Sequence, residues 1–496
     1  MKGFIGKAKN IINYANIKVL LYIIQKVLLA LGGLFFYIGY TNTDFNKMFE
    51  ATFCCLCAGV LYGLFNLEKR IAYVLFLASF FCFMLGRLSV DYFCYGEIRF
   101  YFSQDISIHM MSVIFISLVI LQIAYEFFDY LFSRQKKEDN NLEYIIDDLY
   151  YINVRKIAKV SFYISAVCAV LCNMEQFVYI RSSDYLSLYT NFTSQLPRII
   201  RVIGNMYITF YAVYLATCPK KKKCILTITI FLFITFSILL TGDRGTFIIN
   251  IAITLVYIFW RQYRDKKIWI PTKVIIISII SAPLVIAFMS YFVYLREGVD
   301  VGEKDIFNQF LRFFKSSGNS VDILGYGKQY ENKLPQSMYS FGEFIDYIKY
   351  NPITQKLFKF DNVSQYTKEY AMNMHSYAHV ISYYISGEKY LLGHGKGSAY
   401  IAEVYHDFGY LGLIVFNAFY AMLLAGINKV ANFGPIKLAV VFISIRIMFY
   451  IPRGAAILPI SYVLNITTVF ALIFVWCTAK YGNRIMQMFG RRTRSR

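Results

Sequence analysis

The chain has 496 residues, 57% of them hydrophobic and only 16% charged, whereas soluble domains carry about 25% charged residues. Mean hydropathy is +0.47, and the composition fits lipid rather than water as the solvent. The net charge of +21 gathers on no long soluble stretch, which excludes nucleic acid as a partner.

Apolar runs of about 20 residues, each long enough to cross ~30 Å of hydrocarbon, recur along the chain. They predict spans at 19–40, 48–66, 71–90, 108–128, 157–180, 199–217, 224–241, 245–260, 273–294, 408–427, 434–451 and 456–478. The expected fold is therefore all-α integral membrane, with about twelve transmembrane helices. The first run, from Val19 to Tyr40, exceeds a signal-peptide core and lacks a small-residue cleavage site, so it is expected to remain as a helix.

Orientation follows from the short loops. Lys2, Lys7, Lys9 and Lys18, Lys69 and Arg70, Arg155 to Lys159, Lys220 to Lys223, Arg261 to Lys267 and the tail from Arg491 fall on alternating connections. The positive-inside rule places these in the cytoplasm together with both termini, in a multi-pass protein of the bacterial inner membrane. Within 129–156, Tyr144, Ile145, Ile146 and Leu149 stand among acidic residues, which predicts an interfacial amphipathic helix. Ten cysteines lie mostly inside apolar runs, with Cys94 alone outward, so no structural disulfide is expected.

Three regions result. Residues 1–294 hold nine spans, 295–398 form one large outward loop, and 399–496 hold three spans and a basic tail. The loop carries both charge signs and many tyrosines, and helical spacing over Phe341–Lys349 and Tyr377–Ile385 predicts a partly helical cap. No Gly-rich phosphate loop or nucleotide-binding βαβ unit is found, so ATP-driven chemistry is not expected.

Candidate site residues gather at the outward boundary, where charge beside hydrocarbon is costly and tends to be functional or paired. Thr241-Gly-Asp-Arg-Gly245 is a tight turn in which Arg244 offers a planar fork to phosphate oxygens, with Asp243 beside it as a second binding group or as its ion-pair partner. Tyr450-Ile-Pro-Arg-Gly-Ala455 repeats the arginine–glycine pair at Arg453. Arg446, about two turns deeper, and Arg296 either extend this pocket or serve as paired or anchoring cations. The third motif runs from Leu392-Gly-His-Gly-Lys-Gly-Ser to Ala402-Glu-Val-Tyr-His-Asp-Phe-Gly-Tyr-Leu-Gly412, with Ser398 as a helix cap and Glu403 as a general base or an ion-pair partner. His375, His379, His394 and His406 cluster in the same stretch. His394 is the alternative base and His379 a substrate-binding residue, and no zinc-like ligand spacing accompanies them.

These motifs and the large outward loop resemble the Wzy-type O-antigen or oligosaccharide repeat-unit polymerases. The resemblance implies a GT-C-like glycosyltransferase that joins oligosaccharide units carried on undecaprenyl pyrophosphate, at the periplasmic face. It also implies lipid-linked donor and acceptor substrates, and a chain-length regulator and a flippase as protein partners. No cofactor is expected, because the sugar–pyrophosphate bond is already activated and arginines can stabilise the departing charge. Related O-antigen ligases place a histidine where Ser398 stands, which weighs against a ligase. A flippase or other transporter would show repeat symmetry and midplane polar residues, and neither is clear here.

Overall fold

The computed structural model describes residues 2–134, 149–183, 187–297, 305–350, 352–358, 363–430 and 434–494. Among them every regular element is helical. Ten helices have the length and apolar composition of a membrane span, and an eleventh is counted if Leu458–Leu464 and Ile466–Tyr481, bent by 53°, form one. The segment expected at 434–451 contains Pro435–Met448, a helix of 14 residues, about 21 Å long and too short to cross a bilayer unaided. Most of the expected amphipathic helix within 129–156 lies outside the described residues.

The bundle is built around helices that lie deepest. Every residue of Tyr207–Ala216 is buried, because it packs against both Leu149–Ser182 and Pro435–Met448. Tyr400–Val430 lies along Gln104–Arg134 and kinks at Gly409, whose φ of 61° and ψ of −151° break the helical geometry. The third span, Leu67–Tyr95, carries a single π-helical turn at Phe81–Leu85. Such a turn adds a residue to the helix and re-aims its side chains, and it recurs near functional sites.

The two ends of the bundle use their arginines differently. At one end Asp129 accepts from Lys69 at 2.5 Å and from Arg70 at 2.8 Å, Arg261 pairs with Asp265 at 2.8 Å, and Arg155 donates to the Thr217 carbonyl. The helix Arg244–Asp265 runs from the other end to this one, about 30 Å away. At that other end lies the folded segment expected to face outward, the outer segment, with helices at Ile306–Gly318, Asp322–Gln329, Gly342–Tyr350, Lys368–Asn373 and Tyr377–Ser386. The predicted helices around Phe341–Lys349 and Tyr377–Ile385 are therefore present. All ten cysteines are unbridged.

Candidate active site

Where the outer segment meets the spans, a cavity of about 700 Å³ opens. Its apolar wall comes from the third span and from Arg244–Asp265, through Leu75, Ala78, Phe83 and Ile248. Its polar wall carries Arg244, Arg453, His379 and His394. Asp243 also reaches it, so five of the residues expected from sequence converge on one space.

The first arginine turn is a helix start. Gly242 has a φ of 89°, a left-handed conformation that glycine adopts without steric cost. Asp243 then caps Arg244–Asp265 by accepting from the Thr246 amide at 2.9 Å. Capping gives Asp243 a structural task and leaves Arg244 as the first helical residue. The second turn is a short 3-10 segment, Ile451–Arg453, that follows the Pro435–Met448 helix. The glycine after each arginine serves one shared purpose. A Cβ at Gly245 would lie 3.0 Å from Tyr450 Cε2, and one at Gly454 would lie 3.2 Å from Tyr450 Cδ1. The Tyr450 ring is thus held between the two turns and sets the two arginines on one wall.

Arg453 is half-buried, with its guanidinium carbon 5.9 Å from the Phe83 ring centre. Among the described residues no carboxylate lies within ion-pair distance of it. The glycine-rich segment passes over it, since a Cβ at Gly397 would approach Arg453 Nε to 3.9 Å. His394 is exposed on this segment and faces the cavity.

Glu403 occupies a different place from the one expected of a base. It is 1% exposed and does not line the cavity. One carboxylate oxygen accepts from Ser398 Oγ at 2.5 Å and the other from the Ala456 amide at 2.8 Å. A general base must reach the proton it removes, and both oxygens are already engaged. The expected ion pair with an arginine is also not formed among the described residues. Ser398, expected to cap the helix, instead donates a hydrogen bond to Glu403. The carboxylate therefore staples the glycine segment to the chain just after Arg453, and Glu403 and Ser398 are positioning residues for that arginine.

Arg446 is likewise removed from the cavity wall. It is 2% exposed, donates from Nε to Asn250 Oδ1 at 2.6 Å and lies over Tyr462. Arg296 falls at the end of the helix Thr272–Glu297, and its side chain lies outside the described residues.

Of the four histidines, His379 and His394 share the cavity, while His375 and His406 do not line it. His375 binds Asp346 twice, through its amide at 2.9 Å and its ring at 2.8 Å, and His406 binds Asp407 at 3.1 Å. His379 contacts the Tyr390 hydroxyl at 2.9 Å, with the rings of Tyr366 and Tyr370 beside it. Burial pushes its pKa down to about 4, so its imidazole is neutral at pH 7. Among the described residues no group of three His, Cys, Asp or Glu side chains gathers as a metal site would.

Sequence reasoning missed the aromatic and hydroxyl parts of the cavity: Phe83, Tyr366, Tyr390 and Ser79, whose hydroxyl binds the Phe449 carbonyl. Tyr450 lay inside a quoted motif, but its wedge role depends on packing between distant turns. The family model for the O-antigen polysaccharide polymerase Wzy matches residues 22–484. The chain belongs to that family. It is thus a multi-pass membrane protein of O-antigen polymerisation, a polymerising glycosyltransferase. No curated protein and no solved structure matches it. Within this Wzy family member the two arginine turns, the glycine segment and the helices of 305–398 enclose the candidate site.

Proposed function

We propose that the chain polymerises oligosaccharide repeat units carried on undecaprenyl pyrophosphate, by glycosyl transfer at the periplasmic face of the bacterial inner membrane. The observation that carries this reading is the cavity in which two arginines from like turns share a wall beside an apolar one. An amphipathic substrate needs both surfaces. Its polyprenyl chain lies against Leu75, Phe83 and Ile248, and its pyrophosphate meets Arg244 and Arg453. A guanidinium presents paired donors that match phosphate oxygens.

An acceptor hydroxyl oxygen attacks the anomeric carbon of the donor sugar, and the bond from that carbon to the pyrophosphate oxygen breaks. The electron pair leaves with the lipid pyrophosphate, whose charge the arginines stabilise more strongly as it develops. The hydroxyl proton passes to His394, the alternative base, which faces the cavity. Glu403 and Ser398 hold the glycine segment and Arg453 in register. A flippase that delivers the substrates and a chain-length regulator are the protein partners this reaction calls for.

Deletion of the gene in its own cell, with surface polysaccharide resolved by length, tests the reading. Loss of the polymer ladder with one repeat still attached to its core is the expected result. Absence of every repeat would instead point to a flippase or ligase and overturn it.

A further inference from the structure

A second cavity of about 640 Å³ adjoins the first, and His379 lines both. It lies between the Gly342–Tyr350 helix, the segment from Val363 to Ser376 and the Leu458–Leu464 helix. Its chemistry differs sharply from that of its neighbour. Carboxylates of Glu343 and Asp346, amides of Gln365 and Asn465, and the rings of Tyr347 and Tyr370 line it. Among the described residues no lysine or arginine does, although the chain has 51 of them. A third cavity, of about 590 Å³, meets the central one at Arg453 and Gly395, and it is lined by both signs, Arg87, Arg99, Lys315 and Lys396 beside Asp91, Glu97 and Asp322.

That contrast selects the occupant. Carboxylates without cations repel phosphate and acidic sugars. Planar carboxylate and amide groups instead satisfy hydroxyls, which both give and accept hydrogen bonds. Tyrosine rings offer flat apolar faces for the C–H faces of a sugar while keeping a polar tip. Burial lifts Glu343 to about 7, with Asp346 adding to the effect, so at neutral pH its carboxyl is partly protonated and both gives and accepts.

We propose that this cavity holds the uncharged, terminal sugar of the acceptor repeat unit. The inference rests on the polymerase reading above. A donor is anchored by its charged end at the arginines, but an acceptor reacts through the sugar end farthest from its pyrophosphate. A cavity that shares a wall with the donor cavity and is lined by no lysine or arginine among the described residues suits that end better than any other part of either substrate's head. His379, neutral and held by Tyr390, forms the shared wall past which the acceptor hydroxyl reaches the anomeric carbon.

The probe is the strain's own repeat-unit oligosaccharide, freed from its lipid pyrophosphate by mild acid, with full-length protein in nanodiscs. Saturation-transfer NMR should show binding to wild type, at least fivefold weaker binding to Glu343→Ala, and recovery of most of it in Glu343→Gln, which mimics the protonated acid. In membranes the labelled free oligosaccharide should be elongated, since an acceptor needs no pyrophosphate. Arg453→Ala should keep the binding while losing elongation. Elongation that persists in Arg453→Ala would sink the pyrophosphate reading and leave this one standing. Unchanged binding in Glu343→Ala, no binding to wild type, or no elongation of the free oligosaccharide by wild type would overturn the acceptor site.

Discussion

Arg453→Lys separates geometry from charge at the arginine wall. Arg453 forms no ion pair with a carboxylate among the described residues, and its nearest aromatic contact is the Phe83 ring at 5.9 Å. Its replacement therefore breaks no internal salt bridge, and the loss falls on the substrate. Lysine keeps the unit charge but gives up the planar fork, which costs about one charge-assisted hydrogen bond to pyrophosphate, ~1.5–3 kcal/mol. If that bond strengthens as the leaving group departs, the rate falls by about 10- to 150-fold. The assay is the initial rate of polymer formation in membranes of a deletion strain carrying each variant, normalised to protein level by immunoblot. Wild-type rates in Arg453→Lys at equal protein level would refute the argument that a paired guanidinium holds the leaving group.

Other perturbations test the supporting parts. Gly245→Ala places a methyl 3.0 Å from Tyr450, and overpacking of ~1–3 kcal/mol should lower the unfolding temperature in detergent and shorten the polymer. Gly33→Ala, with no atom within 4 Å of the added carbon, should do neither. Glu403→Gln replaces one of the two oxygens that accept from Ser398 and the Ala456 amide with a nitrogen that cannot, so lower membrane levels are expected, whereas His394→Ala should be present at normal levels and inactive. A stable, fully inactive Glu403→Gln beside an active His394→Ala would return the base role to the glutamate. Glu343, lifted from 4.5 to about 7, binds a proton in the folded protein that the unfolded chain releases. Its contribution is complete below about pH 4.5 and is lost as pH rises through 7. The unfolding temperature should thus fall from pH 5 to pH 8, with a flatter profile in Glu343→Gln. A wild-type profile no steeper than that of the variant would contradict the assignment.

Much of the helical framework is legible because hydrocarbon thickness imposes a length that composition reveals directly. The exception is instructive: residues 434–451 are apolar enough for a span, yet Tyr450, Pro452 and Gly454 end the helix early to build the second arginine turn. Apolar composition records the surroundings of a segment but not where its backbone stops. The arginine wall was legible for a related reason, since glycine beside arginine at a boundary has few structural uses. Glu403 misled because its sequence context, a carboxylate just inside a helix, is the same for a base and for a staple. Only the positions of Ser398 and Ala456, the latter 53 residues away, distinguish the two. The acceptor cavity left no motif, because its residues come from five separate helices and the segments between them, and Glu343 alone resembles any surface glutamate.

Arg446 shows how a residue off the cavity wall still bears on it. Its Nη1 is buried and has no hydrogen-bond partner among the described residues, while its Nε donates to the neutral Asn250. A cation kept so deep is expensive unless its field has a use. It lies near the end of the helix that leads into the Arg453 turn, seven residues earlier in the chain. Across surroundings of low dielectric, a nearby charge acts with little screening. On the proposed reading, the positive potential for a departing pyrophosphate would then have two layers: the guanidinium groups on the cavity wall, and one fixed behind them. Asn250 holds this second layer without neutralising it, as an aspartate at the same position would.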